Sequence, residues 1–221
     1  MDTANIADGL IQYLMLIALL TFHEFGHAWV ALKCGDNTAK LQGRVSLNPL
    51  VHMDLIGTVL IPLLGIFAPA GVSRFLIGGA KPVPVNPFNL RHPDRDDLLI
   101  TLAGPGMNLL LTVVILGIAR VICLFGAYDV AYLLVQMAYL SLILCCFNLL
   151  LPIPPLDGSH VARVLVGMSH ETYASLAQLG FIPLLVLWQV PFVQHYISGT
   201  TNFLFDLIFQ CFAFHSGGAG W

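Results

Sequence analysis

The chain has 221 residues, of which 57% are hydrophobic and only 10% carry a charge, and its mean hydropathy is +0.84. A soluble domain carries about 25% charged residues, so this composition excludes an ordinary water-facing surface and favours a lipid-facing one. The formal net charge of −3 gives no sign of a nucleic-acid partner, and none is expected. The five cysteines form no C-x-x-C pair, which argues against a disulfide framework or a cysteine metal site.

Apolar runs predict the membrane spans, since a helix needs about 20 such residues to cross the hydrocarbon core. Four runs are long enough: Leu10–Leu32, Leu98–Phe125, Val130–Leu151 and Tyr173–Ile197. Two runs are doubtful, because Leu55–Ile77 is interrupted by glycines and prolines and Thr200–Phe214 is short and contains Asp206. We therefore predict an all-α integral membrane protein, a polytopic helical bundle of about five or six spans.

Basic residues predict the orientation. Seven of the nine Lys and Arg side chains lie between the first helix and the Leu98 helix. By the positive-inside rule the N-terminus is outside and residues 33–95 are cytoplasmic, in an inner or plasma membrane. Since basic residues flank Leu55–Ile77 on both sides, we predict a re-entrant hairpin there, with an ordinary extra span as the alternative.

The segment between that run and the Leu98 helix predicts a small extended or β region. Lys81–Pro87 alternates proline and valine, so its prolines exclude a central strand but allow an exposed edge. Such an edge could bind an unwound peptide by strand addition, and a stiff loop is the alternative. We expect one membrane-embedded domain over residues 1–221, with a core at about 8–168 and C-terminal helices at 171–214.

Polar residues inside the first apolar run form the H-E-x-x-H motif His23-Glu24-Phe25-Gly26-His27. Residues four apart share a helix face, so both imidazoles can reach one Zn²⁺ ion while Glu24 stays close to a bound water. Ionisable groups cost about 2.5–3.5 kcal/mol each at the centre of a span, and a metal offsets this cost. The motif predicts one catalytic zinc ion, with Glu24 as general base and acid.

Two imidazoles leave a zinc site incomplete, so a third protein ligand is needed. Asp157 is the leading candidate, because it follows the inner end of the Val130–Leu151 run after a proline-rich break that ends the helix. Asp206 is the other leading carboxylate. The alternative for Asp157 is that it only caps the helix that it opens.

These motifs together resemble the site-2 protease family of intramembrane zinc metalloproteases. The resemblance is carried by His23-Glu24-x-x-His27 and the distant Leu156-Asp157-Gly158. Three further segments are similar to the compact prokaryotic branch of the family: Gly43–Pro49, Ala80–Pro87 and Ala103–Asn108. The match covers most of positions 20 to 165.

The family resemblance implies roles for five residues. His23, His27 and Asp157 would hold zinc, Glu24 would move protons, and Asn148 would steady the substrate or the oxyanion. Three leucines follow Asn148 before the prolines, where two residues are expected. The alternative for Asn148 is therefore an amide that is satisfied between helices.

The resemblance also implies the substrates, namely single-span proteins of the lipid bilayer that are cut near its cytoplasmic side after local unwinding. A rival enzyme class, the prenyl-protein type, needs a later glutamate ligand, and only Glu171 remains for it. There are two non-enzymatic alternatives: a metal transporter, and an inactive relative that binds membrane helices. The sequence does not indicate an oligomeric state.

Overall fold

The computed structural model describes residues 3–67, 79–178 and 182–212. These ranges contain nine α-helices: α1 (Thr3–Cys34), α2 (Thr38–Leu41), α3 (Ile61–Phe67), α4 (Pro93–Leu124), α5 (Tyr128–Leu150), α6 (Asp157–Leu165), α7 (His170–Ala177), α8 (Ile182–Trp188) and α9 (Pro191–Cys211). Short 3-10 turns occur at Pro49–Val51 and Pro87–Asn89, and a π-helical turn at Leu55–Leu60 leads into α3. The all-helical class is thereby confirmed.

The predicted β region is wrong as a strand, because no strand occurs in the ranges that the structure describes. Lys81–Asn86 forms neither a helix nor a paired strand. Proline cannot donate to a β ladder, and Pro82 and Pro84 leave too few donors for a paired strand within the chain.

Within the part of the chain that the structure describes, three helices are long and apolar enough to cross a membrane: Ile6–Cys34, Pro93–Leu124 and Tyr128–Leu150. They coincide with the first three long runs predicted from hydropathy. Their surfaces are also suited to lipid, since large apolar side chains such as Leu14, Leu110 and Val121 are exposed. The protein is therefore an integral membrane protein, and whether it has further spans stays a prediction.

The fourth run, Tyr173–Ile197, is not a single helix as the hydropathy suggested. It is divided among α7, α8 and the start of α9. Pro183 lies in the first turn of α8 and Pro191 begins α9. Proline is tolerated at the first turn of a helix but removes a hydrogen bond in the interior, so these residues begin new helices.

The chain forms two compact units, residues 1–107 and 108–221, with the boundary inside α4. In the first unit a buried carboxylate organises the loops after α1. Asp36 accepts hydrogen bonds from Thr38, from the Asn86 backbone (2.8 Å) and from the Asn89 amide (2.9 Å). Burial raises the pKa of Asp36, but these hydrogen bonds more than offset this and hold the pKa below its ordinary value. Asp36 therefore joins the end of α1 to the segment before α4.

The two ends of the Leu55–Ile77 run return to each other in the first unit. The Gly79 N–H donates to the Gly57 carbonyl (3.0 Å), and the Thr58 hydroxyl donates to the Gly79 carbonyl (2.6 Å). A side chain at Gly57 would lie 2.8 Å from the Gly79 carbonyl oxygen, so glycine permits this approach. The far end of α3 lies against α1, where Ile66 contacts Gly9. Residues 68–78 lie outside the described residues.

In the second unit α5 packs against α6 and α9. The buried Ser141 hydroxyl donates to the Asn108 carbonyl (2.8 Å), which joins α5 to α4. A side chain at Gly158 would lie 2.6 Å from the Leu151 carbonyl oxygen and closer still to that of Leu149. The glycine after Asp157 therefore lets the start of α6 rest on the backbone at the end of α5.

Candidate metal centre

Helix α1 brings its two histidines together on one face. The Nε2 atoms of His23 and His27 are 3.0 Å apart, and the rings stand nearly perpendicular at 80°. His23, Glu24 and His27 are all buried, with 4%, 8% and 8% of their surfaces exposed. The i, i+4 geometry predicted from the sequence is present, with Glu24 on the turn between the two rings.

A backbone carbonyl of α4 orients His27. The Nδ1 atom of His27 lies 2.6 Å from the carbonyl oxygen of Ile100. A carbonyl can only accept, so Nδ1 carries the proton and Nε2 of the neutral ring keeps its lone pair. Metal-binding histidines commonly use the second ring nitrogen in this way, which fixes the tautomer and the ring orientation. Pro105 interrupts the helical ladder near this point, because it has no N–H to offer the Thr101 carbonyl.

Two glycines let α1 and α4 approach closely enough for this contact. A side chain at Gly26 would lie 2.8 Å from the Ala103 carbonyl oxygen. A side chain at Gly104 would lie 2.6 Å from Nε2 of His23 and closer still to Nε2 of His27. Gly104 therefore leaves free the space in front of the two Nε2 atoms.

The donor set fits zinc. With Zn–N distances of about 2.0–2.1 Å, two nitrogens of a tetrahedral site lie about 3.3 Å apart, close to the 3.0 Å found here. Both atoms are in-plane imidazole nitrogens, and one ring has its tautomer fixed for binding. The histidine pair could thus supply two corners of a metal site within the first unit.

The other predicted site residues lie in the second unit, at the end of α5. Asp157 is half-buried and is the first residue of α6. The N-cap position belongs to Leu156, whose side chain makes no cap bond. Asn148 is one turn before the end of α5, and its amide donates to the Leu144 carbonyl of the same helix (2.9 Å). That bond lies within α5, not between helices as the alternative for Asn148 expected, and it does not involve the amide oxygen.

Two features of the site were not predicted from the sequence. The Ile100 carbonyl is a backbone acceptor 73 residues from His27, and no side-chain pattern signals it. Gly104 was noted only as part of the family-like segment Ala103–Asn108, but it faces the Nε2 atoms of both histidines. The Gly104-Pro105-Gly106 run within that segment was the only signal for this glycine.

An H-E-x-x-H helix of this kind, inside an apolar span, is typical of membrane-embedded metalloproteases. Residues 11–127 and 125–187 match Peptidase family M50. The chain is 35% identical over 214 residues to a Bacillus subtilis protein provisionally named zinc metalloprotease YwhC, covering 92% of both chains.

Two mycobacterial relatives provisionally named zinc metalloprotease Rip2 are also similar. The identity is 30% for Mycolicibacterium smegmatis and 32% for Mycobacterium tuberculosis H37Rv, in each case over 85% of this chain and 70% of the relative. No solved protein structure is significantly similar to the chain. The chain belongs to peptidase family M50, the site-2 protease family, and is a zinc metalloprotease.

The space at Gly104 gives a testable consequence. We expect Gly104→Ala to lower bound zinc and proteolysis by at least about tenfold, because the new methyl group would occupy the position in front of both Nε2 atoms. Gly106→Ala is the matched control, since nothing lies within 4 Å of a side chain there. Zinc per mole of purified, folded protein would be measured for both variants. Full zinc occupancy in Gly104→Ala would contradict the packing described here.

Proposed function

We propose that the enzyme hydrolyses peptide bonds of membrane-spanning proteins near the cytoplasmic side, with Glu24 as general base and acid. The observation that carries this proposal is the burial of Glu24 between two convergent histidines on a membrane-spanning helix. When bound, zinc lowers the pKa of a water molecule and polarises the scissile carbonyl. Glu24 then accepts a proton from the attacking water and passes it to the leaving amine.

We propose His23, His27 and Asp157 as the zinc ligands. The assignment of Asp157 is supported by its place directly after the break between α5 and α6 and by the family resemblance of Leu156-Asp157-Gly158. The alternative role as a helix cap is less favoured, because Leu156 holds the N-cap position. Asn148 precedes the same break, and we propose that its amide oxygen or nitrogen steadies the substrate.

We propose that Leu55–Ile77 is a re-entrant hairpin. The proposal is supported by the hydrogen bonds that join residue 79 to residues 57 and 58 and the Lys81 N–H to the His52 carbonyl (2.8 Å). A single crossing of a core about 30 Å thick would separate these residues widely. With both ends on one side, the positive-inside rule puts the loops, the site and the last turn of α1 towards the cytoplasm.

We propose that Lys81–Pro87 binds the unwound substrate as an added strand. The segment is fixed at both ends, by Lys81 to His52 and by Asn86 to Asp36. Between these points the N–H groups of Val83 and Val85 have no partner among the residues that the structure describes. Alternate residues of an extended chain present their N–H and C=O groups to one edge, so the two valines offer a short edge to a peptide.

Replacing the proposed base tests the chemistry. Glu24→Gln should reduce the cleavage rate by orders of magnitude while zinc remains bound, because the carboxylate moves protons and is not a ligand. Cleavage of a single-span model substrate and zinc content would be measured on the same sample. Near-normal cleavage by Glu24→Gln protein that retains its zinc would contradict the proposed role of Glu24.

The third ligand is tested by a pair of aspartates. Asp157→Ala should lower bound zinc and eliminate cleavage, whereas Asp206→Ala should keep normal zinc content, because Asp206 is exposed on α9. Zinc would be measured on purified folded protein. The opposite pattern would place the third ligand on α9.

The hairpin is tested by accessibility. Single cysteines at the exposed positions Lys40 and Lys81, in a background without native cysteines, should react alike with a membrane-impermeant reagent applied from one side. Labelling of the two positions from opposite sides would instead support an extra span.

The strand edge is tested at a valine. Val83→Pro should lower cleavage several-fold at unchanged zinc content, because it removes one of the two N–H groups offered to the peptide. Pro84→Ala is the control, since it removes no donor. Equal cleavage of several substrates by wild type and Val83→Pro would favour a stiff loop.

A further inference from the structure

A buried arginine, Arg44, lies beside the proposed peptide edge and has N–H groups with no acceptor among the described residues. Arg44 lies in the loop after α2 and has only 3% of its surface exposed. Its Nη2 atom donates to the Lys81 carbonyl. Its Nε and Nη1 atoms have no acceptor among the residues that the structure describes. Buried guanidinium groups are normally paired, so these N–H groups call for an acceptor beyond those that residues 3–67, 79–178 and 182–212 provide.

The same guanidinium is within electrostatic reach of the proposed base. Burial lowers the pKa of Arg44, and the negative charge of Glu24 opposes that shift. The side chain stays protonated, as arginine does in proteins. No ion pair joins Arg44 to Glu24, although both residues are described. The guanidinium therefore adds positive charge near the carboxylate without occupying it.

The contact with Lys81 places Arg44 at the edge that a substrate would use. In an extended chain the carbonyl of one residue and the N–H two residues later point to the same edge. The Lys81 carbonyl, which Arg44 holds, and the Val83 N–H would therefore be neighbours along that edge. A peptide paired with Val83 would pass the guanidinium with its own carbonyl groups exposed.

We propose that Arg44 is a substrate-binding residue, which donates an N–H to a backbone carbonyl of the unwound peptide as that peptide lies along Val83 and Val85. The assignment rests on the proposed function, since it takes the peptide to be the substrate that Glu24 helps to cleave. It gives the enzyme a contact that every peptide can make, whatever its side chains. The same arginine keeps the Lys81 end of the edge in place.

The test separates binding from structure. Zinc-loaded wild type, Arg44→Lys and Arg44→Gln would be purified in detergent, with a fluorescently labelled single-span protein carrying a Gly-Pro break as the probe. Arg44→Lys retains the charge and one donor for the Lys81 carbonyl but loses the additional N–H groups. We expect its KM to rise roughly tenfold, as for loss of a charge-assisted hydrogen bond, with kcat, zinc content and unfolding temperature little changed.

A binding measurement accompanies the kinetics. Fluorescence anisotropy with the uncleaving Glu24→Gln variant should give a Kd that also rises roughly tenfold when Arg44→Lys is added. Arg95→Lys, the same exchange at an exposed arginine of the first unit, should change neither KM nor Kd.

The outcomes are distinguishable. Unchanged KM and Kd in Arg44→Lys, with normal cleavage by the wild type, would overturn the role of Arg44 and leave the proposed function intact. Full cleavage by Glu24→Gln would instead count against the proposed function. If Arg44→Lys is unstable, Arg44→Gln supplies the same comparison. Failure of both variants to fold or to bind zinc would assign the arginine to structure and overturn the proposal.

Discussion

The close contact between α1 and the first half of α4 is the interaction on which the metal centre depends. Helices in a bilayer gain nothing from leaving one apolar solvent for another, so their association relies on tight packing and on polar contacts between them. Gly26 and Gly104 supply the tight packing, and the His27–Ile100 hydrogen bond supplies the polar contact. The same hydrogen bond that joins the helices also fixes the tautomer of His27, one of the proposed zinc ligands.

The loops after α1 also pack against this helix. Pro49, His52 and Thr58 of the loop line one small recess together with Ile17, Leu20 and Thr21 of α1, so the loop lies against the middle of α1. Polar backbone at membrane depth is tolerated when it is buried in protein or lines a wet cavity. The loop meets that condition through its own hydrogen bonds, since the His52 ring nitrogen Nε2 lies 2.7 Å from the Ser46 carbonyl oxygen and the His52 carbonyl accepts from Lys81. It is therefore a support for the segment proposed to bind peptide.

The sequence predicted those parts of the molecule in which local periodicity determines the structure. Helical spacing fixes His23 and His27 on one face, and hydropathy alone locates α1, α4 and α5. Hydropathy did not reveal that Tyr173–Ile197 is divided among several helices, because an average over the run conceals the prolines that begin new helices. It also could not reveal the Ile100 carbonyl, because every residue has a backbone acceptor and only the fold decides which one meets a histidine.

The charge balance around Glu24 follows from the cost of placing ionisable groups in a membrane. Insertion of one charged side chain at the centre of a span costs about 2.5–3.5 kcal/mol. Two opposite unit charges about 6 Å apart contribute roughly 3 kcal/mol at an effective dielectric constant of about 20. One cation at such a distance can therefore offset much of the cost of a buried carboxylate without forming an ion pair that would hinder proton transfer. Arg44 supplies a positive charge of this kind in the first unit, because the negative charge of Glu24 opposes the lowering of its pKa by burial, while its guanidinium donates to the Lys81 carbonyl. A loop residue thus adds positive charge near Glu24 without forming an ion pair with its carboxylate oxygens.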